Sequence, residues 1–480
     1  HLILPLYERE GKLVVAVADP EQGEPLEGVR RATGRELSLV LSAPSEIERI
    51  IHEFFGIDAS MRDGAHLPGP SIDLGNLEQL NRITSPDQIG SDDAPIKNAV
   101  EYLFNYAFEL RASDIHLEPK REWCLVRFRI DGLLHDVYQI PKGVYQAVSS
   151  RIKMLGRLNI AEKRRPQDGR IRIERGEDKG AAELRLSTMP TAFGEKLVLR
   201  VLQPEMLMRD LDGIGFFPED LIKIERFLNR PHGIVLVTGP TGSGKTTTLY
   251  SALSMINTPD RNVVTVEDPI ETVVEEFNQV AVQPSIGMTF ASSLRTILRQ
   301  DPDIIMLGEI RDQETAENAI QAALTGHLVL TTLHTNDTSS SVTRLLDLGL
   351  KPYQINAALI GVIAQRLIRT VCDHCARPVE VSRARLAQFG VKVKKETLTL
   401  REGTGCDQCR NTGYLGRTVV YEVMEVDDGI RRLIGDGASS QDIRRAALSG
   451  GMIPLREIAA RKVVKGISTM GELMKVGFGD

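Results

Sequence analysis

Eight residues constrain this chain more than any others: Gly239-Pro240-Thr241-Gly242-Ser243-Gly244-Lys245-Thr246, set between an unbroken apolar run and an amphipathic one. The run Gly233-Ile234-Val235-Leu236-Val237-Thr238 reads as a buried strand, and Leu249, Leu253 and Ile256 recur at helical spacing after the loop. Glycines in such a turn let successive backbone amides face an anion, and the amino end of the helix adds its dipole. The pattern is that of a phosphate loop for ATP. It predicts Lys245 at the β and γ phosphates and Thr246 on Mg²⁺, with Thr247 beside it in the first helical turn.

Cleaving a phosphoanhydride takes more than a cradle, because a water must be positioned and the charge of the γ phosphate neutralised. A second apolar strand, Val263-Val264-Thr265-Val266, ends in Glu267-Asp268-Pro269-Ile270-Glu271, and a third, Ile304-Ile305-Met306-Leu307, ends in Gly308-Glu309. Acids at the carboxyl ends of neighbouring parallel strands gather beside such a loop. One of them serves as base toward water and another binds Mg²⁺, directly or through its water shell. A fourth strand is flanked by His327 and His334. His334 lies at its carboxyl end, placed to sense the γ phosphate, whereas His327 at the other end reads as structural.

The rest of the chain divides by composition. Residues 1–56 read as a small α/β domain, with a closing helix that starts at the capping box Ser45-x-x-Glu48. The chain opens at His1 directly into strand-like Leu2-Ile3-Leu4, which points to further sequence upstream. Residues 57–93, rich in Gly, Pro, Ser and Asp, read as a flexible linker with a short helix near Leu77–Leu80. Residues 94–203 read as a second α/β domain: a helix with Pro95 in its first turn, a hairpin turning at Asp131-Gly132, and further strands. Cys124 falls on the apolar face of that hairpin, as a packed thiol. Residues 204–370 alternate apolar strands with amphipathic helices, the mark of a parallel sheet wrapped by helices, and residues 413–480 read as mainly helical.

Cys372, Cys375, Cys406 and Cys409 form two pairs with two-residue spacers, which places a four-cysteine module at residues 371–412. Each pair can grip one ion through two thiolates, and together they complete a tetrahedral Zn²⁺ site of the closed, structural kind. Two reduced thiol pairs and a redox disulfide are the other readings.

Lys and Arg total 59 against 65 Asp and Glu, a formal net charge of -6, and aromatic residues make up 5%. That balance offers neither a general pull toward nucleic acid nor stacking platforms for single strands. No apolar window reaches the length of a membrane span. A cytoplasmic protein is the expectation, with a nucleic-acid motor as the competing reading and a scaffold that merely binds ATP as a weaker third.

Taken together the motifs resemble the secretion ATPase superfamily, specifically type II secretion ATPases and type IV pilus extension ATPases. The likeness rests on Arg111-Ala112-Ser113-Asp114-Ile115-His116-Leu117-Glu118-Pro119, Arg165-Pro166-Gln167-Asp168-Gly169-Arg170, the phosphate loop, Glu267 to Glu271, Leu298-Arg299-Gln300-Asp301-Pro302-Asp303, Gly308-Glu309-Ile310-Arg311-Asp312 and His327 to His334. It implies a RecA-like ATPase core, a PAS-like second domain, and a homo-hexamer that binds nucleotide between the two. By the same pattern Glu271 polarises water, Glu309 is the Walker B acid, and His334 is the histidine-box contact. Arg170, Arg185, Arg295 and Arg299 match the family's phosphate-facing arginines; from spacing alone Arg295 and Arg299 are only an i, i+4 pair on one helix face. The resemblance further implies peripheral association with an inner membrane, platform and anchor proteins of a secretion or pilus machine as partners, and no nucleic acid. The amino-terminal domain and the four-cysteine zinc insertion suit assembly motors rather than retraction motors.

Overall fold

A computed structural model describes residues 3–9, 12–20, 23–44, 47, 93–174, 181–202, 207–388 and 394–477. The linker expected at 57–93, apart from Asp93, lies outside the described residues, as does most of the helix expected after Ser45. The chain divides into two compact units, His1–Leu202 and Gln203–Asp480.

The first unit opens with β1 (Ile3–Arg9) and β2 (Lys12–Val17), then α1 (Gly23–Thr33) and β3 (Glu36–Leu41), forming the sheet β1-β2-β3. The second α/β region follows: α2 (Ala94–Glu109), β4 (Asp114–Pro119), β5 (Trp123–Ile130), β6 (Leu133–Pro141), α3 (Lys142–Leu155), β7 (Gln167–Glu174), β8 (Ala181–Thr191) and β9 (Gly194–Leu202). Its six strands are antiparallel in the order β6-β5-β4-β9-β8-β7. Alternation in β5 sends Cys124, Val126 and Phe128 to one face, where they join Ile115, Leu117, Leu197 and Leu199 in a core with Val100 and Phe104 of α2 and Val148 and Ile152 of α3. Burial pushes the Cys124 thiol up to about 12, so it packs as an apolar group. The opposite face carries the charged residues.

The second unit is built on the sheet β12-β11-β13-β14-β10-β15-β18. After α4 (Pro218–Leu228) come β10 (Gly233–Thr238), α5 (Lys245–Ile256), β11 (Val263–Glu267), β12 (Asn278–Ala281), α6 (Phe290–Ile297), β13 (Ile304–Leu307), α7 (Gln313–Leu324), β14 (Leu328–Leu333), α8 (Thr338–Asp347), α9 (Pro352–Ala358) and β15 (Leu359–Val371). These strands run parallel, and β10 is fully buried. Helices cover both faces of the sheet: Val235 and Val237 pack with Leu249 and Leu253, whereas Ile234 and Leu236 pack with Leu294 and Ile320.

The chain then makes an excursion through β16 (Ala376–Ser382), α10 (Arg383–Gln388) and β17 (Thr397–Gly403), and returns as β18 (Tyr414–Glu425). β18 pairs antiparallel with β15 over most of its length. The region expected to be mainly helical therefore first donates a strand to the nucleotide sheet. Thr418-Val419-Val420-Tyr421-Glu422-Val423 is buried throughout, so no period-2 alternation marks it. Helices do follow: α11 (Asp428–Gly435), α12 (Ser440–Ser449), α13 (Leu455–Val464) and α14 (Met470–Gly477).

Candidate functional site

The phosphate loop leaves β10 at Gly239 and enters α5 at Lys245, as the sequence predicts. Gly239, Gly242 and Gly244 take φ of +148°, +79° and +87°, values that side chains with a Cβ seldom adopt. Gly242 meets nothing within 4 Å where a Cβ would project, so backbone conformation alone requires glycine there. Pro240 and Thr241 sit at the exposed crest, while Ser243 is buried. Lys245 folds back over the loop, its Nζ 2.9 Å from Gly239 O and 3.3 Å from Pro240 O. Burial lowers the Lys245 pKa, and the carboxylate of Glu309 opposes that shift. Thr246 and Thr247 occupy the first turn of α5, half-buried.

Glu309 follows β13, and His334 follows its neighbour β14. His334 Nε2 is 3.0 Å from Glu309 Oε2, and Glu309 Oε1 is paired with Arg311. Arg311 also reaches Asp268 Oδ2 at 3.8 Å. Burial would raise the Glu309 pKa, but the bonds and charge of Arg311 and His334 outweigh it and hold the carboxyl below its ordinary value. Arg311 is not among the candidate site residues that the sequence yields. Its signal there is position, two residues beyond an acid at a strand end.

The other two acids differ in kind. Glu267 is 4% exposed and accepts from Tyr250 Oη (2.7 Å), Thr265 Oγ1 (2.7 Å) and Gln279 Nε2 (3.1 Å). Its oxygens are committed to the fold. Glu271 is half-buried beyond the Asp268-Pro269 peptide, near enough for its charge to raise the pKa of Tyr250, after burial and Glu267 have done so. His327 lies at the opposite end of β14, with Nδ1 2.8 Å from Ala322 O, a structural placement.

The arginines fall in two places. Arg295 of α6 pairs with Glu314 in the first turn of α7; Arg299 is not its partner on one helix face as the spacing suggests, because the helix ends at Ile297 and Arg299 lies in the turn beyond, its Nη1 donating to Arg295 O at 2.8 Å. In the first unit Arg170 and Arg185 face each other across β7 and β8, and Glu183 Oε1 lies 3.7 Å from Arg170 and 3.9 Å from Arg185. Arg200 of β9 is register partner to Arg185, extending the row toward Asp114 at 3.3 Å.

The four cysteines converge at the mouths of the excursion between β15 and β18. Their Sγ atoms all lie within 4.8 Å of one another, with Cys372–Cys406 at 3.8 Å and Cys375–Cys409 and Cys406–Cys409 at 3.7 Å. A tetrahedron of thiolates around zinc has edges of about 3.8 Å, while a disulfide needs about 2 Å. Backbone amides of Gly405, Cys406 and Gly413 donate to Sγ of Cys375, Cys409 and Cys409 at 3.3, 3.2 and 3.2 Å, which favours thiolates. The donor set and spacing fit zinc. No described helix is long and apolar enough to cross a membrane.

Comparison with known proteins identifies a family. The family described as "Type II/IV secretion system protein" matches residues 90–475, and the "MshEN domain" matches residues 1–61. The chain is 45% identical over 449 residues to the type IV pilus assembly ATPase TfpB of Acinetobacter baylyi, covering 92% of this chain and 76% of that protein. It is likewise 45% identical over 486 residues to the type II secretion system ATPase E of Vibrio cholerae, covering 99% and 94%. Among solved structures, the pilus retraction motor PilT with bound ADP aligns with a TM-score of 0.54 at 26% identity, covering 79% of this chain and 96% of that one.

Proposed function

Because this chain belongs to the type II/IV secretion system protein family, we propose that it is a hexameric motor that hydrolyses ATP to drive assembly of pilin-like subunits, in type II secretion or type IV pilus extension. One observation carries the chemistry: Lys245, Glu309 and His334 stand at the carboxyl ends of the parallel strands β10, β13 and β14, which lie side by side in the sheet.

On this reading the seven-stranded sheet is a RecA-like core and the six-stranded domain a PAS-like partner. The loop amides and Lys245 hold the phosphates, and Thr246 supplies a ligand for Mg²⁺. Glu271 orients the attacking water, Glu309 neutralises charge through the metal, and His334 reads the γ phosphate. Glu267 acts through Tyr250 and Gln279, as the anchor of that strand end. Arg170, Arg185, Arg295 and Arg299 approach the phosphates when subunits close around nucleotide, which requires Arg295 to leave Glu314. Cys372, Cys375, Cys406 and Cys409 hold a structural zinc ion. The motor works at the cytoplasmic side of an inner membrane against platform and anchor proteins.

Purified protein should release phosphate from ATP only with Mg²⁺, and Lys245→Ala should abolish it. Mg²⁺-independent turnover, or full turnover in that variant, would overturn the assignment. A nucleic-acid motor would instead be stimulated by polynucleotide with steep salt dependence, and no such stimulation is expected. Copurification of full-length protein with inner-membrane proteins of each machine identifies which one it serves.

A further inference from the structure

Gln365, more than a hundred positions away in sequence, crowds one of the three loop glycines and lies in ordinary contact with another. A Cβ on Gly239 would stand 2.4 Å from the backbone oxygen of Gln365, and one on Gly244 would stand 3.4 Å from Gln365 Nε2. Gln365 follows directly on the pair Thr238–Ala364, where β15 runs alongside β10, so it emerges beside the loop as the loop begins.

Its side chain is committed to the same loop. Gln365 Nε2 donates to Ser243 O at 2.8 Å, and Gln365 Oε1 accepts from Thr248 Oγ1 at 2.8 Å. Both Gln365 and Thr248 are 1% exposed. A carboxamide offers a donor and an acceptor on separate atoms without carrying charge. One end of it fixes the last carbonyl before Gly244, and the other fixes the first turn of α5. A buried carboxamide is costly unless both its polar atoms are satisfied, and here they are satisfied by the phosphate loop and the helix that follows it.

We propose that Gln365 is a positioning residue for nucleotide: its carboxamide ties Ser243 to Thr248 and holds the loop amides in the arrangement that receives the phosphates of a nucleoside di- or triphosphate. This rests on the ATPase reading above. The position of Gln365 is in turn set from the far side of β15. Its register partner there is Tyr421 of β18, and further along β15 Arg366 and Arg369 bond the last helix at Val476 O (3.3 Å) and Glu472 Oε1 (2.8 Å). The loop is thus indexed to the carboxy-terminal helices through one amide.

The test uses the full chain, with ADP titrated calorimetrically in Mg²⁺ and steady-state turnover of ATP. Gln365→Met keeps the volume and removes both bonds. It should weaken ADP about tenfold or more and raise KM for ATP in step, with kcat within about threefold. Gln365→Glu keeps the acceptor for Thr248 and loses the donor to Ser243, and should also bind weakly. Thr248→Val should weaken ADP by a smaller factor in the parent and have no further effect in Gln365→Met. Without nucleotide, melting of Gln365→Met should stay within a few degrees of the parent, while the rise produced by saturating ADP shrinks. Affinity and KM within about twofold of the parent would overturn the proposal, as would a lowered melting temperature with unchanged affinity. Should Gln365→Met fail to fold, Thr248→Val decides alone, and unchanged affinity there sinks it. A parent that does not bind ADP, or a Lys245→Ala variant that binds as well as the parent, overturns the ATPase reading instead and takes the proposal with it.

Discussion

His334 and Glu309 meet across two neighbouring strands, Nε2 to Oε2 at 3.0 Å, while Arg311 occupies the other oxygen of the same carboxylate. An acid held from both sides cannot swing freely, and on the proposed reading its charge is aimed before nucleotide arrives. Glu309→Gln should leave ADP affinity within about threefold and lower kcat roughly a hundredfold or more. Phosphate-release kinetics beside an ADP titration separate the two effects, and a variant that loses affinity but not kcat would contradict this placement.

The acids of the second strand should separate by phenotype. Glu271→Gln should bind ATP and fail to hydrolyse it, with an unchanged melting temperature. Glu267→Ala leaves the buried Thr265 hydroxyl without its acceptor, a loss of about 1–3 kcal/mol, and takes from Tyr250 and Gln279 one of the acceptors they share with Thr272 O. Its melting temperature should fall by several degrees. Thermal unfolding of both variants decides, and a stable Glu267→Ala with lost turnover would make Glu267 the chemical acid.

Contiguity decides what the sequence makes legible. The phosphate loop can be read because strand, glycines, lysine and helix are contiguous, and the positions of Glu309 and His334 follow from where apolar runs stop. Burial is not legible: Glu267 and Glu271 look alike as strand-end acids until Tyr250 and Gln279 are seen to close on the first. Gln365 is hidden because its partners Ser243 and Thr248 follow a strand that only the sheet order makes its neighbour. The strand Tyr414–Glu425 escapes a sequence reading for a related reason. Its residues 418–424 are buried on both faces, and it lies in a stretch whose remaining elements are helices.

Stability should depend on pH through Lys462, which donates to Gly215 O and to Thr418 Oγ1 at 2.7 Å beneath Phe217. Burial, with a lesser push from the like charge of Lys465, brings its pKa from 10.5 to about 7. Between those values the folded protein has released a proton that the unfolded chain retains, so stability rises with pH across that window. Below about 7 both states are protonated and the cost of the buried ammonium is at its full value. Lys462→Met should flatten the rise in melting temperature between about pH 7 and pH 9. An undiminished slope in that variant would assign it to other groups.

Metal analysis should find one zinc ion per chain, and a strong chelator should lower the melting temperature of residues around the four-cysteine cluster. Cys409→Ser should reproduce both effects. Retained zinc in that variant, or none in the parent purified without chelator, would argue for reduced thiol pairs.

The pairing of β15 with β18 carries a consequence for how the protein is made. Until Glu425 has left the ribosome, β15 is a strand with one open edge, and such an edge invites pairing with other chains. Closing it means bringing together Val371 and Tyr414 across the excursion at 372–413, and the four thiols stand at the two mouths of that excursion. Joining them would leave a turn where there had been a long loop, removing most of the entropy that opposes the last strand. A joined cluster would thereby shorten the time for which the nascent sheet stays unsealed.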